Sequence, residues 1–416
     1  MKNIFSLIAL LIIFSSLNAQ DCGDRYFNKI FNTKQTTALQ YGSNVRFNGD
    51  SVNLLMDIFE PENDTLSKRP LIVLAFGGSF TGGVRQSPDI VRLCNEFSQR
   101  GYVCVSIDYR LGFENGNDSD TNQFKALIRG VQDMKGALRY FYKDAATDNI
   151  YRVDTNNIFA GGVSAGAFIG LNMAYGRTDI FSRVVPAWVP DALAEVGGVE
   201  GNSGSPGYSW KVKGVINLCG AISDTIWLQP NDPMVVSVHG TADDLVPFYF
   251  DSTLASTQVE ALLFGSGDIH NRANRIGLKN YLKAFQGAGH VPFILPSGSN
   301  ITAIQKYMDT TIWTIRDFLY NEAICNTTSS VYTLKPNIAV AIYPNPAHNY
   351  ITVTTESQDA LQLSLYNVHG KEVFNAPLPY KATTLYLPDF SKGIYFAEIK
   401  NRHTQTIVNR QRLLLQ

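Results

Sequence analysis

The run "PLIVLAFGG", residues 70–78, most constrains what this chain can become. A strand apolar at nearly every position has no face to offer water, so both its faces must be covered, as in a mainly parallel sheet clad by helices. Its neighbours keep that rhythm. "DIVRLCNEFSQRG" follows at helical spacing and stops at Gly101, and then come the strand "YVCVSIDYR" and the long helix "FKALIRGVQDMKGALRYFYKDA". After these, "NIFAGG", "VKGVINLCG", "PMVVSVHG" and "LKNYLKAFQGAGH" read as strands. Helices are expected after Ser164, before Gly265 and over "ITAIQKYMDTTIWTIRDFLYN". Strands and helices in alternation predict an α/β class with a doubly wound, mostly parallel sheet.

A chain of 416 residues is long enough for two or three domains. Lysine and arginine are scattered and the formal net charge is -1, which gives no support for binding nucleic acid. Residues 1–19 read as a secretory signal peptide: Lys2, the apolar core "IFSLIALLIIFSSL", and cleavage after Ala19. That core is short for a membrane span, and no second long apolar run follows. Residues 20–321 are expected to form the α/β domain. Within it, 177–212 breaks the rhythm with prolines, aromatics and a glycine/serine run, a length that suggests a lid or a surface insertion.

Five cysteines enter an oxidising compartment. Cys22 and Cys325 bracket the α/β domain, and a disulfide between them would tie its ends. Cys104 and Cys219 lie in apolar strand patterns suited to buried thiols, Cys94 precedes a helix-to-strand turn, and the odd count leaves a thiol unpaired. Sequons at Asn63, Asn117, Asn300 and Asn326 carry no weight here.

"GGVSAGA", residues 161–167, sets Ser164 between glycines on a strand-to-helix corner. It is either an ordinary turn or the strained turn that exposes a nucleophile, where side chains at the flanking positions would strike neighbouring backbone. A serine hydroxyl needs a base and a carboxylate to orient that base. "HGTADDLVPF" supplies Asp243, favoured over the adjacent Asp244 by its spacing from His239 and Gly240. "GAGHVPF" supplies His290 just past the next strand. His239 is expected to pack or hydrogen-bond, and His270 to sit solvated in a loop. His348, His369 and His403 lie in the C-terminal region and are set aside.

The ordered motifs "FGGSF", "DYRLG", "GVSAG" and "HGTADDLVP…GAGH" resemble the esterase and lipase branch of the α/β-hydrolases over about residues 40–320. The resemblance implies a secreted serine carboxylic-ester hydrolase with Ser164, Asp243 and His290 as its triad and no cofactor or metal. It places the oxyanion donors on the backbone of Gly78, Ser79 and Ala165, with Gly77 at the close approach. Phe76 stands where that branch carries histidine, and Ser79 where it carries a third glycine. Asp108 and Arg110 take structural roles. The substrate would be a lipid, a small ester or an acylated polysaccharide; Trp188, Tyr208, Trp210 and Trp227 suggest an apolar or sugar-decorated acyl ester, and core packing explains them equally well. A peptidase on the same fold, or a non-catalytic surface binder, are the other readings.

A polar linker, 322–337, leads to short strands at regular spacing over 338–416, which predict a small all-β sandwich. "IYPNPA", "LYNVHGKEV" and "KGIYFAEI" resemble the C-terminal sorting domain of the bacterial type IX (Por) secretion system, although the closing "RQRLLLQ" is poorer in lysine. The partner implied is the outer-membrane secretion machinery, and the destination is the cell surface or the medium. A carbohydrate-binding module is the competing reading, and no exposed aromatic trio is expected to support it.

Overall fold

The all-apolar run becomes a strand whose seven residues are all buried, Arg69–Ala75. In the computed structural model, the described residues are 22–113, 119–177, 186–251, 262–294, 301–325, 340–355, 360–367, 371–379, 381–402 and 407–416. The expected signal peptide, the sequons at Asn117, Asn300 and Asn326, and His369 and His403 lie outside them. The chain divides into two units, Met1–Asn326 and Thr327–Gln416.

The first unit carries strands β1 (Thr33–Val45), β2 (Ser51–Pro61), β3 (Arg69–Ala75), β4 (Val103–Ile107), β5 (Val153–Val163), β6 (Gly214–Leu218), β7 (Met234–Gly240) and β8 (Asn280–Phe285). They form one sheet in the order β1-β2-β4-β3-β5-β6-β7-β8. The β1–β2 and β2–β4 pairings are antiparallel, and every pairing from β4 to β8 is parallel. Helices α1 (Pro88–Ser98), α2 (Asp120–Ala146), α3 (Ala165–Tyr175), α4 (Val189–Glu195), α5 (Ser266–Ile276) and α6 (Ile301–Phe318) complete it. α2 packs on α3, and α1 on α6, so β3 to β7 lie between helical layers and form the core. From β3 the chain moves to β4 on one side and then to β5 on the other. The β3 and β5 carboxyl ends therefore flank the crevice where such sheets bind ligands.

The helix expected before Gly265 falls on a stretch of which 252–261 lie outside the described residues; around it Leu263 pairs with Asp251 and Phe264 with Ile222 in isolated bridges, and a helix not anticipated, α5, starts at Ser266. His270, expected in a solvated loop, sits half-buried on α5 instead, held by Asn280 and Asn274. β1 went unread because it is an edge strand with mostly exposed polar residues and two register shifts, so no period of two survives.

The described part of the 177–212 segment is bound along α2. Gln132 donates to the carbonyls of Val196 and Gly198 at 2.7 and 2.5 Å, and Arg139 donates to those of Glu200 and Gly201 at 3.0 and 3.2 Å. Lys135 stacks 4.0 Å over the Trp210 ring, whose N–H donates to Glu200. The Ser203 hydroxyl donates to Asp133 at 2.6 Å, and Asp133 in turn accepts from buried Arg110. Arg110 is thus a staple between α2 and the loop after β4, and Asp108 pairs with Arg85. Trp188 meets Phe124 edge-on, Trp227 is buried in a satellite core, and Tyr208 is half-buried. The tryptophans are thus accounted for by packing.

A disulfide joins Cys22 to Cys325, with Cα atoms 5.8 Å apart, while Cys94, Cys104 and Cys219 are buried free thiols. Cys325 caps a π-helical turn, Leu319–Ile324, that prolongs α6. The start of the expected linker is therefore helical, and 326–339 lie outside the described residues.

The second unit has β9 (Val340–Tyr343), β10 (Tyr350–Thr355), β11 (Leu361–Tyr366), β12 (Glu372–Leu378), β13 (Ala382–Tyr386), β14 (Gly393–Asn401) and β15 (Ile407–Leu415). They make two antiparallel sheets, β13-β10-β9 and β12-β11-β14-β15. Alternate residues of both sheets, among them Ile342, Ile351, Val353, Leu363, Leu365, Ile399 and Leu413, share one core, the arrangement of a sandwich. The other face of the three-stranded sheet does carry an exposed aromatic trio, contrary to expectation. Tyr343, Tyr350 and Tyr386 are 49%, 43% and 78% exposed, and the registers Tyr350↔Tyr386 and Thr352↔Tyr343 put them on the same side. Tyr343 and Tyr350 lie at the facing ends of two consecutive strands and Tyr386 on a third farther along the chain, so only the pairing of β10 with both β9 and β13 brings the three together.

Candidate active site

Gly162-Val163-Ser164-Ala165-Gly166 joins β5 to α3 by a turn so tight that Ser164 takes φ 52° and ψ -117°. This is a costly backbone for a residue with a Cβ. Both flanking glycines are required by contact. A Cβ on Gly162 would lie 2.1 Å from the Ala75 carbonyl oxygen, and one on Gly166 also 2.1 Å from it. The turn is held by the Ser164 N–H on the Leu218 carbonyl at 2.8 Å. It lifts the hydroxyl to the carboxyl edge of the sheet, at the N-terminus of α3.

Asp243 sits on the loop after β7, and His290 on the turn after β8. The structure brings the three side chains together: His290 Nε2 is 2.9 Å from Ser164 Oγ, and His290 Nδ1 is 2.7 Å from Asp243 Oδ2. Asp243 Oδ1 accepts from the N–H groups of Leu245 and Val246 at 3.0 and 2.8 Å. The Asp243 side chain is fully buried, while Asp244 next to it is exposed and makes none of these bonds. Burial alone would raise the Asp243 pKa. The hydrogen bonds from His239 and His290 outweigh it and hold the carboxyl well below the usual carboxylate range. An ionised carboxylate on Nδ1 keeps the proton there and leaves Nε2 free to accept from the hydroxyl.

His239, expected to pack or hydrogen-bond, is fully buried and does both, and its partners tie it to the Asp243 carboxylate. Its Nε2 is 3.0 Å from Asp243 Oδ2, and its Nδ1 is 2.7 Å from Ser266 Oγ. The signal was present in the spacing of "HGTAD", four residues from histidine to aspartate. The partner on α5 was not.

After β3 the chain turns through Gly78, Ser79 and Phe80, all with positive φ (133°, 50° and 62°). Gly77 lies against the Ser164 turn: a Cβ there would be 3.1 Å from the Val163 oxygen and 3.2 Å from Ser164 Cβ. The backbone N–H groups of Gly78, Ser79 and Ala165 find no acceptor among the described residues. Phe76, in place of a histidine, stacks on Tyr109 with ring centroids 4.5 Å apart and is buried. The Tyr109 hydroxyl donates to the Phe76 carbonyl and fixes the start of this loop.

Cys219 Sγ, Asp243 and His290 also form a group of metal-ligand type, with donor atoms within 4.8 Å of one another. Burial and the charge of Asp243 push the thiol up to about 12, so it keeps its proton through the neutral range. Both imidazole nitrogens are already engaged. The donor set suits proton transfer better than metal coordination.

Residues 56–194 match the family model BD-FAE, which takes in the β3 loop and Ser164 and ends before Asp243 and His290. Residues 341–412 match the secretion system C-terminal sorting domain. No curated protein matches the chain in sequence. Among solved structures, native esterase 2 of the Planctomycetes species Thermogutta terrifontis is 20% identical, aligned over 73% of this chain and 98% of its own, with a TM-score of 0.45. Its propionate-bound form and the form phosphorylated by paraoxon are each 20% identical over 71% of this chain and 96% of theirs, again at 0.45. The first unit is thus similar over residues 56–194 to the BD-FAE family, and the second over residues 341–412 to the secretion system C-terminal sorting domain.

Proposed function

We propose that this protein is a serine hydrolase that cleaves carboxylic esters through an acyl-enzyme. The observation that carries this reading is the chain of contacts Ser164 Oγ, His290 Nε2, His290 Nδ1, Asp243 Oδ2, at 2.9 and 2.7 Å, built on a strained strand-to-helix turn. Ser164 Oγ attacks the acyl carbon while His290 Nε2 takes its proton. The oxyanion is received by the backbone N–H groups of Gly78, Ser79 and Ala165, each donor contributing about 3–4 kcal/mol to the transition state. His290 then protonates the leaving alcohol. Water, deprotonated by the same nitrogen, attacks the acyl-enzyme and frees the acid. Asp243 stabilises the imidazolium at both steps.

The sorting domain supports type IX export to the cell surface or the medium, with residues 1–19 as the signal for the first membrane. The secretion machinery would be the partner of the second unit, and an ester-bearing molecule outside the cell the partner of the first. Ser164→Ala is expected to abolish turnover of p-nitrophenyl acetate, and a serine-directed phosphonate is expected to label Ser164. Full activity in the variant, or labelling elsewhere, would end the reading. An acyl-chain series that includes acetylated xylan and a feruloyl ester then separates polysaccharide, lipid and small-ester substrates.

A further inference from the structure

Asp243 Oδ2 has two imidazole partners, and the mechanism above uses only one. The second, His239 Nε2, faces two acceptors, Asp243 Oδ2 at 3.0 Å and the Val246 carbonyl at 3.1 Å, so it must carry the proton. Its Nδ1 then accepts from the Ser266 hydroxyl at 2.7 Å. Ser266 Oγ in turn accepts from Asn217 Nδ2 at 3.0 Å, and Asn217 also donates to Ser237. Asn217, Ser237, His239 and Ser266 are all buried, and they come from β6, β7 and the first residue of α5. The shortest contacts run one way, from the Asn217 amide through Ser266 and His239 to the carboxylate; the Gly220 carbonyl, the other acceptor for the Ser266 hydroxyl, is farther off at 3.5 Å.

We propose that His239 is a positioning residue of the proton relay: with Ser266 and Asn217 behind it, it aims the Asp243 carboxylate and divides the charge of Oδ2 between two imidazoles. The proposal rests on Ser164, His290 and Asp243 acting as nucleophile, base and acid. Sharing Oδ2 leaves less of its charge for the imidazolium of His290. Removing the His239 donor returns that charge, favours the imidazolium, and moves the acid limb of the kcat/KM profile to higher pH. The loss of aim lowers kcat. Of the ionisable groups that touch this path, Cys219, just after β6, keeps its proton up to about 12 and Asp243 is held ionised, so neither changes charge across that limb, while the Asp244 side chain is exposed to solvent.

Two polar variants separate aim from mere packing. His239→Gln places an amide N–H where Nε2 lies, within reach of Asp243. His239→Asn places its amide where Nδ1 lies, within reach of Ser266 alone. For His239→Asn we expect an acid limb about one pH unit higher, the equivalent of one hydrogen bond to a charged group. Its kcat should fall by about tenfold or more with KM little changed, a modest form of the loss that misplacement brings. His239→Gln should keep the wild-type limb and most of kcat. Equal profiles for the two variants and wild type, or losses that only follow the melting temperature, would overturn the proposal. If His239→Asn does not fold, His239→Ala takes its place: a limb displaced in His239→Ala and restored in His239→Gln supports the proposal, and equal limbs in both and wild type overturn it. Phosphonate labelling of wild-type Ser164 is read alongside, because failure there would count against the hydrolase reading and not against His239.

Discussion

Replacing Asp243 by asparagine exchanges one carboxylate oxygen for an amino group of the same size, and the surroundings leave that group nowhere to go. Oδ1 accepts two backbone N–H groups, at 3.0 and 2.8 Å, and Oδ2 faces two imidazole N–H groups, at 2.7 and 3.0 Å. An amide has one oxygen and can serve only one of these pairs. The backbone donors cannot rotate away, so the oxygen stays at Oδ1 and the amino group meets both rings. His290 can relieve the conflict by moving its proton from Nδ1 to Nε2. That places a donor against Ser164 Oγ, where a base is needed. The wrong tautomer in a triad of this type costs about 10³–10⁴ in kcat, or about 4–5.5 kcal/mol at the transition state. The assay is steady-state hydrolysis of p-nitrophenyl acetate, with Asp244→Asn as the exposed control and near-UV circular dichroism to verify folding. KM should hardly move. A variant at 243 that keeps more than a tenth of wild-type kcat, or a larger loss at 244, would refute this reasoning.

Two further outcomes test the scaffold. Gly166→Ala drives a Cβ to 2.1 Å from the Ala75 carbonyl oxygen and should lower stability by about 1–3 kcal/mol or more and disable Ser164, whereas Gly82→Ala, with open space around it, should be silent. Equal melting temperatures for the two would contradict the close-packed turn. Cys22→Ser opens a link between residues 303 apart in sequence and should cost about 3–5 kcal/mol of unfolding free energy, read by urea titration. Unchanged midpoints, or peptide maps identical with and without reductant, would remove the disulfide.

What could be read locally was read well. The unbroken apolar run of β3 needed no partner to identify it, since burial on both faces is written into every residue. The turn at Ser164 was equally visible, because glycine two positions either side of a serine answers a clash that the neighbouring strand imposes. Elements whose identity depends on a partner were not legible. β1 has polar residues because it lies at an edge, α5 carries a mostly polar sequence whose one buried face is set by its neighbours, and Trp210 is held by Lys135 and Glu200, which lie far from it along the chain or on its own loop. That His239 would hydrogen-bond was legible, but its partner Ser266, like Arg110 as the partner of Asp133, is distant along the chain and was not.

By itself, the sequence determined the alternation of strands and helices, the strained corner at Ser164 and the β-rich C-terminal unit, since each follows from periodicity or from a backbone conformation that few residues tolerate. Only the tertiary structure decided that Asp243, rather than Asp244, meets His290, that Cys22 meets Cys325, and that a second imidazole shares the carboxylate. Those are contacts between strand ends and loops scattered across the chain. Their distances are set by sheet order and helix packing, which no local stretch of residues encodes.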